Sequence, residues 1–151
     1  RARAGGGAAA AAAVQEVELK DLQLGTQLGK GHFSVVHRGR FRRQDVAVKL
    51  VNGTTPEQRN AFDNEVAINR SISTHRNVVT MLAVSYSDAL RLCIVTEFCA
   101  LGALNAWLRR TAFLNQPSKC ALARDVARGL AHVHKCLIVH RDVAARNCLV
   151  A

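Results

Sequence analysis

The segment HRDVAARN, at residues 140–147, is the densest group of side chains in this sequence that could take part in chemistry. Asp142 and Asn147 are separated by four residues within it. A carboxylate can accept the proton of a hydroxyl group, and a carboxamide oxygen can bind a magnesium ion. The alternative is a charged loop between a helix and a strand, with a purely structural role.

A second candidate is Lys49, which lies within the apolar, strand-like segment VAVKL at residues 46–50. Such a lysine can simply bury its stem and hold its ammonium group at the surface. Glu65 follows sixteen residues later, on a mostly apolar helix face where an inward-facing carboxylate needs a partner. An ion pair between Lys49 and Glu65 would satisfy both groups, and we predict that it forms.

Two glycines, Gly29 and Gly31, interrupt the strand-like pattern of LGKGHFSVV at residues 28–36. Glycines let backbone amides approach a phosphate closely and adopt positive φ angles. Two glycines in a hairpin are more commonly only a turn. Because a strand rather than a helix follows, the dinucleotide-binding fingerprint and the P-loop are both disfavoured.

Strands in the first part of the chain must position these residues. Alternating apolar patterns between turn residues predict strands at 22–28, 35–40, 45–51, 81–86 and 90–98. The first three form a meander, in which a basic turn joins the second strand to the third. The last two are predicted to pair around Ser87-Asp88.

Helical patterns follow the third strand and dominate the second part of the chain. Thr55 can cap a helix, Pro56 suits its first position, and Gln58 completes a capping box. The inward face of this helix is predicted to carry Phe62, Glu65, Val66, Asn69 and Ile72. Further helices are predicted at 103–110 and 118–134, the latter with an apolar stripe of Leu122, Val126, Leu130 and Val133. Strands first and helices second, with a linker at 97–102, predict a two-lobed α+β fold.

The composition bears on two other classes of function, nucleic-acid binding and metal binding. The chain has 21 Lys and Arg residues against 11 Asp and Glu residues, for a net charge of +10. Its densest basic cluster is His37, Arg38, Arg40, Arg42 and Arg43. Neither an aromatic platform nor a recognition-helix pattern accompanies it, so a solvated hairpin turn is favoured over nucleic-acid binding. The five cysteines contain no C-x-x-C pair and predict free thiols rather than a metal site or a disulfide framework.

The chain resembles the protein-kinase family from about Leu22 to its end, because four features occur in the order of the kinase signature set. These features are the glycine-rich segment, the strand lysine, the helix glutamate and HRDVAARN. The segment IVTEF, at residues 94–98, is similar to a kinase hinge. The resemblance implies an α+β, protein-kinase-like fold. Its β-rich N-lobe would carry one helix, followed by the first helices and the catalytic loop of a helical C-lobe.

The resemblance also implies an ATP site in the N-lobe. The residues implied to contact the nucleotide are Leu28, Gly29, Gly31, Phe33, Val36, Ala47, Lys49, Thr96, Glu97, Cys99 and Leu149. Lys49, paired with Glu65, would hold the α- and β-phosphates. Thr96 would be the gatekeeper, and Leu149 would form the floor of the pocket. Ser34 stands where many kinases have a third glycine.

The hinge and the catalytic loop complete the implied site. Glu97 and Cys99 would offer backbone hydrogen bonds to the adenine base. Asp142 would be the catalytic base and Asn147 a magnesium ligand, so that ATP and Mg²⁺ are the expected cofactors. His140 and Arg141 resemble scaffold residues of this loop.

Residues 144 and 146 bear on the hydroxyl that would be phosphorylated. Serine/threonine kinases typically carry a lysine two residues after the catalytic aspartate, where this sequence has Ala144. The cation appears instead at Arg146, as in tyrosine kinases, especially the receptor type. We therefore expect a tyrosine side chain of a protein as the substrate. A tyrosine-kinase-like enzyme with serine/threonine activity is the main alternative.

Residues 1–16 are predicted to be a low-complexity, disordered lead, and residues 17–151 a partial kinase domain with its N-lobe at 17–98 and the start of its C-lobe at 99–151. The D-F-G segment of the family is expected beyond Ala151. We therefore expect the chain to be part of a longer kinase and to be inactive alone.

Two other readings remain open. One is a non-catalytic, kinase-like fragment that binds a nucleotide or a partner, and the other is a basic nucleic-acid binder.

ATP and free thiols imply the cytoplasm, or the cytoplasmic side of a membrane if the parent is a receptor. The apolar stripe of the helix at 118–134 is expected to be exposed, which predicts poor solubility.

Overall fold

The structure is a computed structural model that describes residues 14–31, 33–52, 55–88 and 91–151. In chain order, the strands are β1 (Gln15–Glu16), β2 (Gln23–Lys30), β3 (Ser34–Phe41), β4 (Gln44–Asn52), β5 (Met81–Asp88), β6 (Arg91–Glu97), β7 (Gly102–Ala103) and β8 (Leu149–Val150). The helices are α1 (Pro56–Ser71), α2 (Leu104–Arg110) and α3 (Gln116–Lys135). Short 3-10 helices lie at Leu19–Asp21 and Ala145–Asn147.

The strands form a large sheet with the order β1-β5-β6-β4-β3-β2, and β7 pairs separately with β8. The predicted meander is confirmed, because β2, β3 and β4 are neighbours and antiparallel. The five predicted strands correspond to β2 to β6. The predicted turn at Ser87-Asp88 is wrong, because β5 continues through both residues and Asp88 pairs with Arg91.

The last residues of the predicted lead belong to the large sheet rather than to a disordered segment. Gln15 and Glu16 pair in parallel with Ala83 and Val84 of β5, and the Val17 N–H donates to the Val84 carbonyl at 2.9 Å. Order therefore begins before residue 17, because backbone hydrogen bonding to an edge strand does not depend on the side chains of the added segment. The rest of the predicted lead, residues 1–13, lies outside the described residues.

The large sheet buries a different cluster on each face, as the period-2 alternation of strands requires. One cluster is Leu22, Val46, Val48, Ala83, Cys93 and Val95. The other is Val51, Phe62, Val66, Met81, Val84, Leu92 and Ile94, in which Phe62 and Val66 come from α1. Helix α1 therefore covers one face of the sheet, and this face also carries Lys49.

The start of α1 is the predicted capping box. The Gln58 N–H donates to the Thr55 hydroxyl at 3.3 Å, and the Thr55 N–H donates to the Gln58 amide oxygen at 3.2 Å. Phe62 packs edge-on against Tyr86, with ring centroids 5.4 Å apart. The cap and this aromatic contact fix where α1 begins and which face it turns toward the sheet.

Helix α3 packs on the segment between α1 and β5. Gly129 is buried there, and a Cβ atom at Gly129 would lie 2.2 Å from the Asn77 carbonyl oxygen. In the predicted apolar stripe Val133 is buried, and Leu122, Val126 and Leu130 are half-buried. The expectation of an exposed stripe is therefore wrong for Val133. Of the described helices, none is both long enough and apolar enough for a membrane span.

Candidate active site

The centre of the site is the ion pair between Lys49 on β4 and Glu65 on α1. The Lys49 ammonium nitrogen lies 2.7 Å from each of the two carboxylate oxygens of Glu65. Glu65 also accepts, through its backbone carbonyl, the Asn69 side-chain amide at 2.8 Å. The predicted pair is thus confirmed as a contact, and both groups are half-buried between the helix and the sheet.

Strand register places further predicted residues beside Lys49. Val36 of β3 and Ile94 of β6 pair directly with Lys49, and Ala47 pairs with Thr96. Directly paired residues of an antiparallel sheet point to the same face, and residues two apart on one strand do so as well. Val36, Ala47, Lys49 and Thr96 therefore share the face that α1 partly covers.

The predicted glycine-rich loop is a tight turn between β2 and β3. Gly29 pairs with Val36, and the Gly31 N–H donates to the Ser34 carbonyl at 2.7 Å. A Cβ atom at Gly29 would meet nothing within 4 Å, so the space beside this backbone is open. Leu28 and Phe33 are about half exposed around that space. His32, which lies between them in the sequence, is outside the described residues.

Backbone hydrogen bonds hold both predicted base-binding positions, Glu97 at the end of β6 and Cys99 in the segment that follows. The Glu97 N–H donates to the Thr80 carbonyl at 3.0 Å, and the Glu97 carboxylate accepts the Thr80 N–H at 2.6 Å. The Cys99 carbonyl accepts the Gly102 N–H at 3.1 Å. The backbone N–H of Glu97 is therefore already used, while no described group accepts the backbone N–H of Cys99.

The pairing of β7 with β8 attaches the end of the described chain to this segment. Leu149 pairs with Ala103, the Leu101 N–H donates to the Val150 carbonyl at 3.0 Å, and the Leu104 N–H donates to the Cys148 carbonyl at 2.8 Å. Gly102 adopts a φ of 74°, which a glycine accommodates without strain. These contacts place Leu149 beside the predicted hinge, because its partner Ala103 follows Cys99 by four residues.

The predicted catalytic loop is a hydrogen-bonded network around Asp142. Arg146 donates to one carboxylate oxygen of Asp142 at 2.6 Å, and the Asn147 amide donates to the other at 2.8 Å. The same Asn147 amide donates to the Asp142 backbone carbonyl at 2.9 Å. His140 accepts the Asp142 N–H through Nδ1 at 3.3 Å, and Arg141 has a φ of 65°. The loop thus fixes one carboxylate from two sides.

The charge state of Asp142 follows from these contacts. The hydrogen bond from Asn147 lowers the pKa of the Asp142 carboxyl below its ordinary value, and Arg146 lowers it further. Asp142 is therefore an anion at neutral pH. The amide nitrogen of Asn147 makes both of its hydrogen bonds to Asp142. Within the described part of the chain, no group donates to the amide oxygen of Asn147.

The structure gathers the predicted residues into two groups. The first, on the sheet, contains Gly29, Val36, Ala47, Lys49, Glu65 and Thr96, and the second, after α3, contains Asp142, Arg146 and Asn147. Within the described residues, no hydrogen bond or ion pair joins the two groups directly. Their positions are linked instead through the hinge segment and through the packing of α3.

The packing of α3 involves residues that the sequence did not single out. His132 of α3 lies 2.8 Å from the Ser73 carbonyl through Nε2, and its ring stacks on His75 with centroids 4.5 Å apart and planes 13° apart. The Asn77 N–H donates to Nδ1 of His75 at 3.2 Å. The only available signal was two histidines 57 positions apart, which no local pattern connects.

The described residues contain no cluster of three or more His, Cys, Asp or Glu side chains that could hold a metal ion by themselves. All five cysteines are free thiols, as predicted. Burial raises the pKa of Cys93 to about 12. Burial also raises the pKa of Cys99, and the Glu97 carboxylate raises it further.

Comparison with known proteins gives matches over most of this chain. A family model described as protein tyrosine and serine/threonine kinase matches residues 22–151. LIM domain kinase 1 of Drosophila melanogaster is 35% identical over 133 residues, and the tyrosine-protein kinase hopscotch of the same organism is 34% identical over 131 residues. The serine/threonine-protein kinase STY46 of Arabidopsis thaliana is 31% identical over 143 residues.

These matches cover 86%, 82% and 91% of this chain, in the same order. They cover only 10%, 11% and 24% of the relatives themselves. The chain therefore spans a tenth to a quarter of the length of these relatives, which include both tyrosine and serine/threonine kinases.

Proposed function

This chain belongs to the protein tyrosine and serine/threonine kinase family, and from that premise we propose that it forms the nucleotide-binding and catalytic-loop part of a kinase that phosphorylates proteins with ATP and Mg²⁺. We further propose that the acceptor is a tyrosine hydroxyl. The observation that carries the proposal is the ion pair of Lys49 with Glu65, at 2.7 Å to both carboxylate oxygens.

This ion pair leaves Lys49 able to bind an anion. An ammonium group has three N–H donors, and Glu65 takes two of them. The third is free to donate to a phosphate oxygen, and the carboxylate holds the ammonium group in place while it does so. Gly29 contributes open space beside the backbone of the neighbouring hairpin, where phosphates could lie.

The adenine base would lie on the sheet face that carries Val36, Ala47 and Thr96. Val36 and Ala47 supply apolar surface there, and Thr96 borders the deeper part. Because the Glu97 N–H is bonded to Thr80, the N–H of the predicted hinge that can donate to the base is that of Cys99. Leu149, attached by the pairing of β7 with β8, would close the site from the opposite side.

Asp142 is suited to orient the acceptor hydroxyl and take its proton. Its pKa lies below the ordinary value, so it is an anion at neutral pH and acts chiefly as a hydrogen-bond acceptor. Asn147 and Arg146 hold the two carboxylate oxygens in place. Arg146 also brings a positive charge close to the position where the transferred phosphoryl group would develop negative charge.

The residues present also fit a magnesium ion. The Asn147 amide oxygen has no donor among the described residues, and its nitrogen is anchored to Asp142, so that the oxygen can ligate a hard cation. Mg²⁺ usually keeps several waters and takes substrate phosphates as ligands, which accords with a single protein ligand here. The bound ion would neutralise phosphate charge during transfer.

Tyrosine as the acceptor is supported by residues 144 and 146. Ala144 leaves the space that a lysine side chain would fill, and the Arg146 guanidinium reaches Asp142 instead. A phenol is longer than a serine hydroxymethyl group, so the space at Ala144 favours it. A serine/threonine acceptor is the alternative, and the relatives include kinases of both kinds.

We expect the 151-residue chain by itself to bind nucleotide without measurable phosphoryl transfer, because protein kinases hold two magnesium ions with an asparagine and a further aspartate, and only the asparagine position, Asn147, is assigned in this chain. The proposed location of the parent protein is the cytoplasm, or the cytoplasmic side of a membrane. ATP is available there, and the free thiols of the chain accord with a reducing compartment.

The decisive experiment measures binding of a fluorescent ATP analogue to the purified chain with Mg²⁺. We expect saturable binding that Lys49→Met abolishes. Lys119→Met removes an equally positive, exposed side chain on α3 and serves as the control that should bind normally. Binding that is absent, or equal in the Lys49→Met variant, would refute the nucleotide site.

Substrate preference requires the complete reading frame that contains this chain. Expressed in cells, it should raise phosphotyrosine on itself or on its substrates, and Asp142→Asn should remove that signal. A signal confined to phosphoserine and phosphothreonine would overturn the tyrosine proposal while leaving the kinase proposal intact.

A further inference from the structure

A groove lies at the hairpin end of the sheet, far from the Lys49–Glu65 pair. Asp21, Gln23, Arg40, Arg42 and Arg43 line it, and its volume is about 350 Å³. Arg42 follows Val36, the strand partner of Lys49, by six residues. At the rise of an extended strand, six residues correspond to about 20 Å. The groove is therefore separate from the site described above.

The turn that carries two of these arginines is conformationally unfavourable. Phe41 pairs with Gln44, so Arg42 and Arg43 form a two-residue hairpin loop. Their φ angles are 49° and 68°, both in the left-handed region. Hairpins of this kind strongly prefer Asn-Gly, because residues with a Cβ atom are strained there. Strained backbone conformations cluster at functional sites, so the strain directs attention to these two side chains.

The guanidinium groups of this turn are not neutralised locally. The Asp45 carboxylate forms an ion pair with Arg38 at 2.7 Å and lies 3.9 Å from Arg40. Within the described residues, no carboxylate lies within 4 Å of Arg42 or Arg43. Arg42 instead lies over the Phe41 ring, 5.2 Å from its centroid. The groove thus presents guanidinium forks, which recognise phosphate groups by paired hydrogen bonds.

A second groove adjoins the first and has the opposite charge. It measures about 890 Å³, shares Asp21 and Arg42 with the first, and adds the acidic residues Glu16 and Glu18, of which Glu18 is paired with Lys20. Val17, Phe41 and Tyr86 provide its apolar lining. Among the described residues Glu16 and Asp21 have no ion-pair partner, and their carboxylates would repel a nucleic acid or an anionic membrane. A peptide that carries both a phosphate and a neighbouring basic residue would match both grooves.

We propose that this pair of grooves binds a phosphorylated segment of a protein partner. The phosphate lies at the end lined by Arg40, Arg42 and Arg43. An adjacent lysine or arginine of the partner lies at the end lined by Glu16, Glu18 and Asp21. Asp21 lies at the junction and keeps the phosphate toward Arg42 and Arg43. The inference is independent of the proposed phosphoryl transfer, because it concerns recognition of a phosphate already attached to a protein.

The test measures binding of a fluorescent peptide, with one phosphoserine followed by lysines, to the complete 151-residue chain by anisotropy. The variant is Arg42→Asn with Arg43→Gly, because Asn-Gly suits this turn and should keep or improve thermal stability while removing both guanidinium groups. We expect this variant to bind about tenfold or more weakly, from the loss of charge-assisted hydrogen bonds.

The matched control is Arg109→Gln with Arg124→Gln, which removes two exposed charges from α2 and α3 and should leave binding unchanged. Unphosphorylated peptide should bind weakly to every form of the chain. Equal binding of the two peptides, or equal loss in the control, would overturn the proposal. So would equally effective competition by anionic lipid vesicles, by duplex DNA or by inorganic phosphate, since each would show attraction to any anion.

Discussion

The Lys49 ammonium nitrogen lies 2.7 Å from both carboxylate oxygens of Glu65, although the residues are sixteen positions apart on different elements. Their side chains are 34% and 38% exposed, so solvent screens the attraction and the pair contributes little to stability, about 1 kcal/mol at most. The same geometry orients an ammonium group with one free donor. Its importance is therefore expected to lie in binding rather than in folding.

This leads to a prediction for Glu65→Gln. The free energy of unfolding should fall by no more than about 1 kcal/mol, while affinity for the Mg²⁺-bound ATP analogue should fall about tenfold as Lys49 loses its fixed position. Chemical denaturation and nucleotide titration measure the two quantities. Glu57→Gln, in the first turn of the same helix, is the control. Global unfolding of Glu65→Gln, or unchanged nucleotide affinity, would contradict the assignment.

Gly129 supplies a test of how α3 meets the rest of the chain. An alanine in a helix interior normally stabilises by about 1 kcal/mol relative to glycine. Here the added Cβ atom would lie 2.2 Å from the Asn77 backbone carbonyl oxygen, which cannot move as a flexible side chain can. We therefore expect Gly129→Ala to destabilise the chain by about 1–3 kcal/mol in thermal or urea unfolding.

Gly29→Ala is the steric control for that substitution. A Cβ atom at Gly29 meets nothing within 4 Å, so the change in unfolding free energy should be smaller than about 1 kcal/mol. If Gly129→Ala proves neutral or stabilising, the close approach of α3 to Asn77 is wrong.

The stacked histidines predict how stability depends on pH. Desolvation lowers the pKa of His75 below its ordinary 6.5, and nearby positive charge lowers it further; the groups concerned are His132, Arg76, Lys135 and Arg128. Protonation at Nδ1 would also remove the acceptor of the Asn77 N–H. The unfolded chain therefore binds this proton more readily than the folded chain, and stability falls as pH decreases below 6.5.

The measurement is the melting temperature across this pH range. It should decline below 6.5 in the native sequence, and the decline should be shallower in His75→Asn, which cannot titrate there. His134→Gln, an exposed position on α3, is the control that should retain the full decline. Identical pH profiles for His75→Asn and the native chain would show that His75 does not contribute.

Cysteine reactivity should follow burial. Cys120 is exposed, whereas Cys93 is buried and its pKa is raised to about 12, so Cys93 has almost no reactive thiolate at neutral pH. Alkylation of the native chain followed by peptide mass spectrometry should modify Cys120 first and Cys93 only after denaturation. Cys99, whose pKa is also raised, should react more slowly than Cys120. Equal labelling of Cys93 and Cys120 before unfolding would contradict the burial of β6.

The catalytic-loop network predicts a change in the acidity of Asp142. Removing the amide in Asn147→Ala, or the guanidinium in Arg146→Gln, should raise the Asp142 carboxyl pKa toward its ordinary 3.8. Carbon-detected NMR titration of the Asp142 carboxyl group measures this directly. Asn105→Ala on α2 removes an amide outside the network and should leave the Asp142 pKa unchanged. An Asp142 titration that is unaffected by either loop variant would rule out the hydrogen bonds described here.

Local sequence signals predicted the elements and much of the site. Period-2 alternation located β2 to β6, and Thr55, Pro56 and Gln58 located the start of α1. The pairing of Lys49 with Glu65 was also predictable, because each was a charged residue within an apolar pattern and needed a partner. These signals are readable because hydrogen bonding, capping and burial act over a few neighbouring residues.

Other features depended on contacts between distant parts of the chain. The parallel pairing of β1 with β5 and the antiparallel pairing of β7 with β8 come from backbone hydrogen bonds, which carry no side-chain pattern. The stacking of His75 on His132, and the approach of Gly129 to Asn77, depend on where α3 packs. The left-handed Arg42 and Arg43 are set by the register of Phe41 with Gln44, against the preference of either residue. In each case many weak long-range contacts sum to outweigh a local preference, so only the tertiary structure could decide the outcome.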